Sequence, residues 1–320
     1  MNSCDGGASA TWGPVDGGKA MGHARTMVGH GPRPSGSPEL ALTQAYIVSE
    51  LKKLGLVDFG HKWKDPTQPK VRYFRNIVAQ IDGEEPVNGP ILILAAHYDT
   101  KLCKGHSNPD HNFHFVGAID GAGGPATLLE LARHLKTRKS VPNIWLLFID
   151  GEESIPFDWK DDQALYGSRY FVKKMGADKK RFPNSMSTRV RAFVLIDLIG
   201  SKNLKIDRDK ASNTTLNNLF KEAATGMGES ARMYETTSTM TDDHIPFKKA
   251  GMRVIDLIDF NYRAPDTSAD QSFTDPRYEQ WWHTKKDNLD AMDPESLAFV
   301  GNLLWNAISL LEAKFYPKKK

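Results

Sequence analysis

Acidic residues and histidines repeatedly follow the apolar runs of this sequence, and these residue types suggest chemistry. The residues at such positions are His97 and Asp99, Asp120, Asp150, Glu152 and Glu153, and Asp197, and a further histidine, His283, follows Trp281 and Trp282. Open α/β sheets bind their ligands at the carboxyl ends of the strands. Histidine and carboxylate ligands without cysteine suit zinc better than cobalt or manganese. The sequence therefore predicts a zinc site at one edge of a sheet.

Glu152 and Glu153 are adjacent, so their side chains point in different directions. One can bind a metal while the other faces the substrate as a general base, as hydrolysis or acyl transfer at zinc requires. Each residue also has a plainer interpretation: Asp120 before Gly121 as a turn residue, the glutamates as a solvated loop, and His283 as a packed histidine. Because unpaired charge near a core is costly, the recurrence of such residues at the ends of buried runs favours a site.

The elements that must position these residues are strands alternating with helices. Apolar runs predict strands over 75–81, 91–96, 115–119, 144–149, 192–196 and 253–258, and four of them, 91–96, 115–119, 144–149 and 192–196, end at these residues. Helical periodicity predicts helices from Pro38 to about Gly55, over 126–135 and 165–171, and from Pro294 to Leu311. This alternation predicts a single α/β domain with three layers, α/β/α, and a mixed, largely parallel central sheet. Asp150 is expected in a turn or in contact with a ligand residue.

The beginning of the chain and one internal segment show weaker patterns. Residues 1–30 are rich in glycine, proline and serine and are predicted to form a flexible leader, so the catalytic domain is expected to span 31–320. Cys4 follows Ser3 in this leader, and it is either the acceptor cysteine of a shortened lipoprotein signal or part of a disordered tail. The polar stretch 259–280 is a long connection, and connections of this length are either functional loops or flexible ones.

Composition argues against several classes of protein. The chain has 320 residues, 40% hydrophobic and 25% charged, and its net charge of +3 predicts no nucleic-acid partner. No apolar run reaches about 18 residues, so no membrane span is expected, and the first residues lack the charged and apolar regions of a signal peptide. Cys4 and Cys103 are far apart and predict neither a disulfide framework nor a cysteine zinc site.

Several segments, taken in their order, resemble the M28-type zinc aminopeptidases and their relatives, the animal-type glutaminyl-peptide cyclotransferases. These segments are GPRPSGSPE, FRNIVAQIDG, AAHYDTK, FVGAIDGAGGPATLLELARHL, FIDGEES, ALYGSRYF, IDLIGSKN, TDDHIPF and WWHTKKDNLD. They extend over most of the chain. The resemblance implies a zinc exopeptidase fold, with Asp120, Glu153 and His283 as zinc ligands and Glu152 as the general acid and base.

The two groups of relatives use the other residues differently. In the two-zinc aminopeptidases, the residues that match His97 and Asp197 bind a second zinc ion, and Asp120 bridges the two ions. In the cyclotransferases, which hold one zinc ion, Asp197 matches an aspartate that binds the amide nitrogen of the substrate. Asp242 matches an aspartate that completes a hydrogen-bonded acid network. The TDDHIPF segment and the tryptophan before His283 look more like the cyclotransferases.

The resemblance thus implies a cyclotransferase that converts the N-terminal glutamine of peptides or proteins to pyroglutamate and releases ammonia. Its alternative is a two-zinc aminopeptidase that hydrolyses the first peptide bond. Trp159, Trp282 and His244 are expected to contact the substrate. Relatives of this kind imply a secreted or cell-envelope (periplasmic) location, with a signal segment removed, and leave the oligomeric state open.

Two further points qualify this resemblance. Ala96 and Pro125 stand where the animal enzymes have a disulfide beside the site, and the segment 259–280 is longer than its counterpart in them. A third interpretation is a binding module that has lost catalysis, but such a descendant has no reason to keep Glu152 together with every type of ligand residue.

Overall fold

The computed structural model describes residues 12–66, 72–260 and 281–317 of the chain. The strands are β1 (His61–Asp65), β2 (Arg72–Ile81), β3 (Ile91–His97), β4 (Asn143–Ile149), β5 (Val190–Asp197), β6 (Ile206–Asp209), β7 (Met233–Ser238) and β8 (Val254–Ile258). The α-helices are α1 (Gly17–Gly29), α2 (Pro38–Lys53), α3 (Gly124–Leu135), α4 (Tyr166–Ala177), α5 (Met186–Arg189), α6 (Thr214–Gly226), α7 (His244–Lys249) and α8 (Pro294–Phe315). Short 3-10 turns lie at Pro109–His111, Asp161–Gln163, Ser230–Arg232 and Leu289–Ala291, and Ile119–Gly123 forms a π turn.

The central sheet has six strands in the order β1-β2-β4-β3-β5-β8. Strands β4, β3, β5 and β8 run parallel to one another, whereas β2 is antiparallel to both β1 and β4. Strands β6 and β7 form a separate parallel pair. Every residue of β3 and β4 is buried, as expected for central strands covered on both faces. The predicted mixed, largely parallel sheet is therefore confirmed.

Helices cover both faces of this sheet and form the outer layers. Alternate residues of each strand belong to different hydrophobic clusters: Leu92 and Leu94 of β3 to one, Ile91 and Ile93 to the other. The first cluster also contains buried residues of α1, α2, α3, α6 and α8, and the second contains those of α4, α5 and α7. Because successive side chains of a strand point to opposite faces, the two clusters are the two sides of the sheet. The three-layer α/β/α architecture is confirmed.

Helix α2 begins where the sequence predicts. The Ser37 hydroxyl accepts a hydrogen bond from the backbone N–H of Leu40 at 3.0 Å, and Pro38 occupies the first turn, where its missing N–H costs nothing. The other predicted helices are confirmed as parts of α3, α4 and α8.

Helix α8 is the longest helix in the described part of the chain, with 22 residues. It is long and apolar enough to cross a membrane by length and composition alone, but 61% of its most apolar window is buried inside the protein. It packs against α1, α3 and α6, which explains its apolar character as that of a core helix.

The prediction of a flexible leader over residues 1–30 is wrong for α1. Asp16 caps this helix by accepting a hydrogen bond from the N–H of Lys19, and its buried face packs on α3 and α8. The N–H and carbonyl of Val15 also bond to the side chain of Asn302 in α8. The glycines of α1 obscure its helical pattern in the sequence. Gly17 is required for the contact with α8, because a Cβ there would lie 1.8 Å from the carbonyl oxygen of Pro294. Cys4 lies outside the described residues.

The prediction of a strand over 115–119 is also wrong. This stretch is a loop that leads into the π turn Ile119–Gly123. Phe115 lies in a small cluster with Cys103 and Phe113, whereas Ala118 and Ile119 pack into the main hydrophobic cluster. Phe115 also packs edge-on against the ring of His283 at 5.5 Å between centroids. Most of the long polar stretch 259–280, from residue 261 onwards, lies outside the described residues.

The contact between α1 and α8 predicts opposite effects of the same substitution at two glycines. We expect Gly17→Ala to destabilise the protein by about 1–3 kcal/mol because its Cβ overlaps the backbone of Pro294. Gly22→Ala, on the exposed face of the same helix with nothing within 4 Å, should stabilise it by about 0.5–1 kcal/mol. Denaturant unfolding followed by circular dichroism measures both values. Equal midpoints for Gly17→Ala and the unsubstituted protein would contradict the packing of α1.

Candidate metal centre and active site

Three neighbouring parallel strands bring the predicted site residues to one edge of the sheet. Strand β3 ends at His97, β5 ends at Asp197, and β4 is followed directly by the turn that carries Glu152 and Glu153. Because β4, β3 and β5 are adjacent and parallel, their carboxyl ends meet, which places these four side chains together. The structure therefore brings these four predicted site residues together at the carboxyl edge of the sheet.

Asp120, Glu153 and His283 form a compact group of ligand atoms. The Nε2 atom of His283 lies 3.4 Å from Oδ2 of Asp120 and 3.2 Å from Oε2 of Glu153. Ligand atoms about 2.0–2.2 Å from a tetrahedral zinc ion are roughly this far from one another. All three side chains are buried, and the same two carboxylate oxygens have no hydrogen-bond partner. Orphaned buried oxygens facing a histidine nitrogen fit a zinc ion.

His97, Asp120 and Asp197 form a second group with the same character. The Nε2 atom of His97 lies 2.9 Å from Oδ1 of Asp197 and 3.2 Å from Oδ1 of Asp120, so Asp120 faces both groups with different oxygens. Burial lowers the pKa of His97, but the charge of Asp197 and hydrogen bonds to the carboxylates raise it well above its ordinary value. Two neighbouring metal positions, or one metal and one histidine–aspartate pair, are compatible with this geometry.

Glu152 lies beside the metal triad without belonging to it. Burial and the neighbouring Asp242 raise the pKa of its carboxyl well above the ordinary value. A buried carboxyl group whose pKa is raised in this way is a candidate for general acid–base catalysis. Its backbone N–H and that of Glu153 donate to the two carboxylate oxygens of Asp99, at 3.2 and 3.4 Å. Asp99 thus orients Glu152 and Glu153 together.

Asp150 anchors the turn from which both glutamates project. It is fully buried and accepts hydrogen bonds from the hydroxyl of Ser35 at 2.6 Å and from the N–H of Arg75 at 2.7 Å. Gly151 follows with a φ of 74°, and a Cβ there would lie 2.7 Å from the ring of Phe74. The structure therefore gives Asp150 a supporting role in the turn.

Sequence reasoning missed two residues that hold the loop carrying Asp120. The carboxylate of Asp287 accepts hydrogen bonds from the N–H groups of Ile119 and Asp120, at 2.7 and 3.0 Å, and burial followed by the charge of Asp120 raises its pKa to about 7. Arg33 is fully buried and donates to the carbonyls of Val116 and Gly117, at 2.9 and 3.0 Å. In the sequence, only the position of Asp287 four residues after His283 suggested that it lies near the site.

A cavity of about 650 Å³ opens above the triad and has mostly apolar walls. Trp282 lies on one side, with its ring stacked on His283 at 4.0 Å, and Trp159 lies in the same wall. Asp197 and Asp242 also line the cavity, next to Glu152. An apolar pocket with a few convergent polar groups is the usual form of a small-ligand site.

Two residues that line the cavity have backbone conformations that residues other than glycine rarely adopt. Leu198, which follows Asp197, has a φ of 46°, and His283 has a φ of 53°. Such conformations cost on the order of 1 kcal/mol or more and concentrate at functional sites, where the surrounding packing maintains them. Here the stacked Trp282 and the edge of Phe115 hold the His283 ring between them.

His244 does not lie in the cavity wall, so the expectation that it contacts the substrate is corrected. As the first residue of α7 it points into the protein and is fully buried. Its Nε2 atom lies 3.3 Å from Asp209 and its Nδ1 atom 3.5 Å from Asp256. Burial and the charge of Asp242 raise the pKa of Asp256 well above its ordinary value, which favours its neutral form. His244 therefore supports the segment that carries Asp242 from behind.

Comparison with known proteins identifies the family. Residues 76–308 match the sequence model described as Peptidase family M28. The chain belongs to this family. Among curated proteins it is similar to the glutaminyl-peptide cyclotransferase of Drosophila melanogaster, with 27% identity over 289 residues that cover 82% of this chain and 72% of the relative.

Solved structures of similar fold come from both branches that the sequence suggests. The glutaminyl cyclase of an Acidobacteriales bacterium has a TM-score of 0.79 and 29% identity, and the match covers 98% of this chain and 100% of that one. A Zn-dependent exopeptidase from Parabacteroides distasonis has a TM-score of 0.75 and 21% identity, with coverage of 95% and 99%, and shares the fold. The family expectation drawn from the sequence is confirmed.

The hydrogen bonds from the loop of Asp120 to the carboxylate of Asp287 predict an effect of Asp287 on metal affinity. In Asp287→Asn an amide NH₂ replaces one of the two oxygens that accept backbone N–H groups, so Asp120 should lose its fixed position. We expect zinc to bind about tenfold or more weakly, as measured by competition with a chromogenic chelator. The matched control is Asp290→Asn, an exposed aspartate three residues further on, which should bind zinc unchanged. Equal affinities in the two variants would show that Asp287 does not support the ligand.

Proposed function

We propose that this protein is a zinc-dependent glutaminyl-peptide cyclotransferase. It would convert the N-terminal glutamine of peptides or proteins to pyroglutamate and release ammonia. The observation that carries the proposal is the cavity, in which Glu152, Asp197 and Asp242 converge beside the metal triad under the tryptophans Trp159 and Trp282. The glutaminyl cyclases among the similar proteins support it.

Asp120, Glu153 and His283 are the residues that would hold the zinc ion. When bound, zinc supplies a Lewis acid that polarises the carbonyl of the glutamine side-chain amide. The M28 family and a neighbour named as a Zn-dependent exopeptidase support zinc as the metal.

Glu152 would move the proton. Its carboxylate accepts a proton from the α-amine of the substrate, whose nitrogen then forms a bond to the side-chain amide carbon. The bond from that carbon to the amide nitrogen breaks, and Glu152 returns the proton so that ammonia leaves. The raised pKa of Glu152 makes its carboxylate a stronger base than that of an ordinary glutamate, which supports its role in taking the proton from the amine.

Asp197 and Asp242 would position the departing nitrogen. Asp197 contacts His97 through Oδ1, and it lines the cavity together with Asp242, so both carboxylates can accept N–H groups of the amide. Trp159 and Trp282 would enclose the glutamine side chain and exclude water. Exclusion of water separates cyclisation from hydrolysis, since water would otherwise compete with the amine for the same carbonyl.

A two-zinc aminopeptidase is the second candidate. The observation in its favour is the second ligand group, His97, Asp120 and Asp197, whose atoms are as close together as those of the first. In that case Glu152 would activate water for attack on the first peptide bond.

We further propose that the partners of the protein are peptide or protein N-termini and that it acts outside the cytoplasm, in the cell envelope or after secretion. The cavity, whose lining combines Trp159 and Trp282 with the carboxylates of Asp197 and Asp242, supports recognition of a chain end.

A pair of peptides separates the two activities. Incubation with a glutamine-initiated peptide should release ammonia and lower the peptide mass by that amount, without cleavage. A leucine-initiated peptide should remain intact, because its side chain has no amide carbon for the amine to attack. Mass spectrometry of both reactions is the measurement, and release of free leucine would favour the aminopeptidase instead.

Substitution of the proton carrier tests the mechanism. We expect Glu152→Gln to lower kcat by about a hundredfold or more, because the amide cannot accept the proton of the amine. Zinc content, measured by mass spectrometry of the metal, should be unchanged, since Glu152 lies outside the triad. Equal kcat in the variant and the unsubstituted protein would contradict the assignment of Glu152. The absence of turnover in both forms would instead indicate a protein that only binds peptides.

Counting metal ions separates the candidates independently of turnover. With one catalytic zinc ion, His97→Ala should retain about one zinc per chain, whereas His283→Ala should lose it. With two ions, His97→Ala should fall from about two to one. The second result would overturn the one-zinc proposal.

A further inference from the structure

A second cavity, of about 700 Å³, lies next to the candidate active site. Trp159, Trp282 and His283 line both cavities, so the two share a wall. The volume falls in the range that binds side chains or small ligands. Of the residues in the proposed mechanism, Trp159, Trp282 and His283 line this second cavity, whereas Glu152, Asp197 and Asp242 do not, so the proposed chemistry leaves its use unexplained.

The outer wall of this second cavity is built from stacked rings. His111, from the turn Pro109–His111, stacks on Phe157 with 3.9 Å between centroids and an interplanar angle of 12°. His106 packs against both rings, at 5.1 and 5.0 Å. Phe157 in turn lies 6.2 Å from the ring of His283. Planar groups therefore extend from the metal ligand to the outer edge of the cavity.

Charged residues around the cavity give no net preference for one sign. Asp110 and Asp158 line it together with Lys285 and Lys286, and Lys285 lies over the ring of Phe113 at 5.7 Å. Two carboxylates and two ammonium groups oppose each other around the rim, so the aromatic wall is the feature that can discriminate between ligands.

We propose that this second cavity binds the side chain of the residue that follows the N-terminal glutamine, and that it selects an aromatic side chain. The inference rests on the proposed function, because it takes the first cavity to hold the glutamine. A peptide anchored there must continue past the shared wall of Trp159 and Trp282. Its second side chain then meets the His111–Phe157 stack, where a planar ring can stack or pack edge-on.

Steady-state kinetics with three peptides test this inference. The peptides are Gln-Phe-Ala, Gln-Leu-Ala and Gln-Gly-Ala with amidated C-termini, and ammonia release is followed by a coupled assay. We expect kcat/KM for Gln-Phe-Ala to exceed that for Gln-Gly-Ala by about fivefold to tenfold, mainly through a lower KM, with the leucine peptide between them.

Variants assign this preference to the proposed wall. Phe157→Ala and His111→Ala should each reduce the ratio of the phenylalanine to the glycine peptide to about twofold or less, by raising KM for the phenylalanine peptide. The matched control is Tyr73→Ala, an exposed aromatic residue outside both cavities, which should keep the full ratio.

The possible results have distinct meanings. Equal kcat/KM for all three peptides, or a ratio that survives both variants, would overturn this inference and leave the proposed function standing. A fall in kcat shared equally by all peptides would also overturn it, because it would show that the stack only supports the loops. No ammonia from any of the peptides would remove the proposed function itself, and this inference with it.

Discussion

Carboxylates are buried side by side at the carboxyl edge of the central sheet, and the surrounding loops are arranged to compensate their charge. A buried charge costs several kcal/mol unless it is paired or hydrogen-bonded. Asp99 and Asp287 are compensated by backbone N–H groups of the ligand loops, and Asp120 by two histidines. For Glu152 no such compensating contact is found among the described residues, and burial raises the pKa of its carboxyl well above the ordinary value. The same requirement that shapes the loops therefore produces the groups that the proposed chemistry needs.

The layers of the fold and the position of the site follow from the sequence because the strands involved are central. Every residue of β3 and β4 is buried, so each appears as an uninterrupted apolar run whose end is marked by the first polar residue. That first polar residue is His97 after β3 and Asp150 after β4; His97 belongs to a candidate ligand group, and Asp150 lies three positions before Glu153, which belongs to another. The end of each apolar run therefore also marks the position of the candidate site. For this reason His97, Glu153 and Asp197 could be grouped from the sequence alone.

The parts that sequence reasoning missed depend on contacts that leave no pattern along the chain. In helix α1, Gly17 is required because its backbone touches that of Pro294 in α8, and a glycine gives no side chain from which a helical pattern can be read. The stretch 115–119 is apolar because Phe115 packs on His283 and because Ala118 and Ile119 pack into the main hydrophobic cluster, although the stretch is a loop. Asp287 and Arg33 form hydrogen bonds with backbone N–H and carbonyl groups. Every residue type has these groups, so the sequence contains no partner side chain from which the contacts could be predicted. His244 was misplaced because adjacency to Asp242 in sequence does not fix the direction of a side chain.

Asp99 binds the backbone N–H groups of both Glu152 and Glu153 with one carboxylate. Both glutamates are thereby tethered to the end of β3, which is hydrogen-bonded to strands on both sides. Displacement of this strand end would therefore move Glu152 and Glu153 together. In the proposed mechanism, this tether keeps the proton carrier and one of the metal ligands at a fixed spacing.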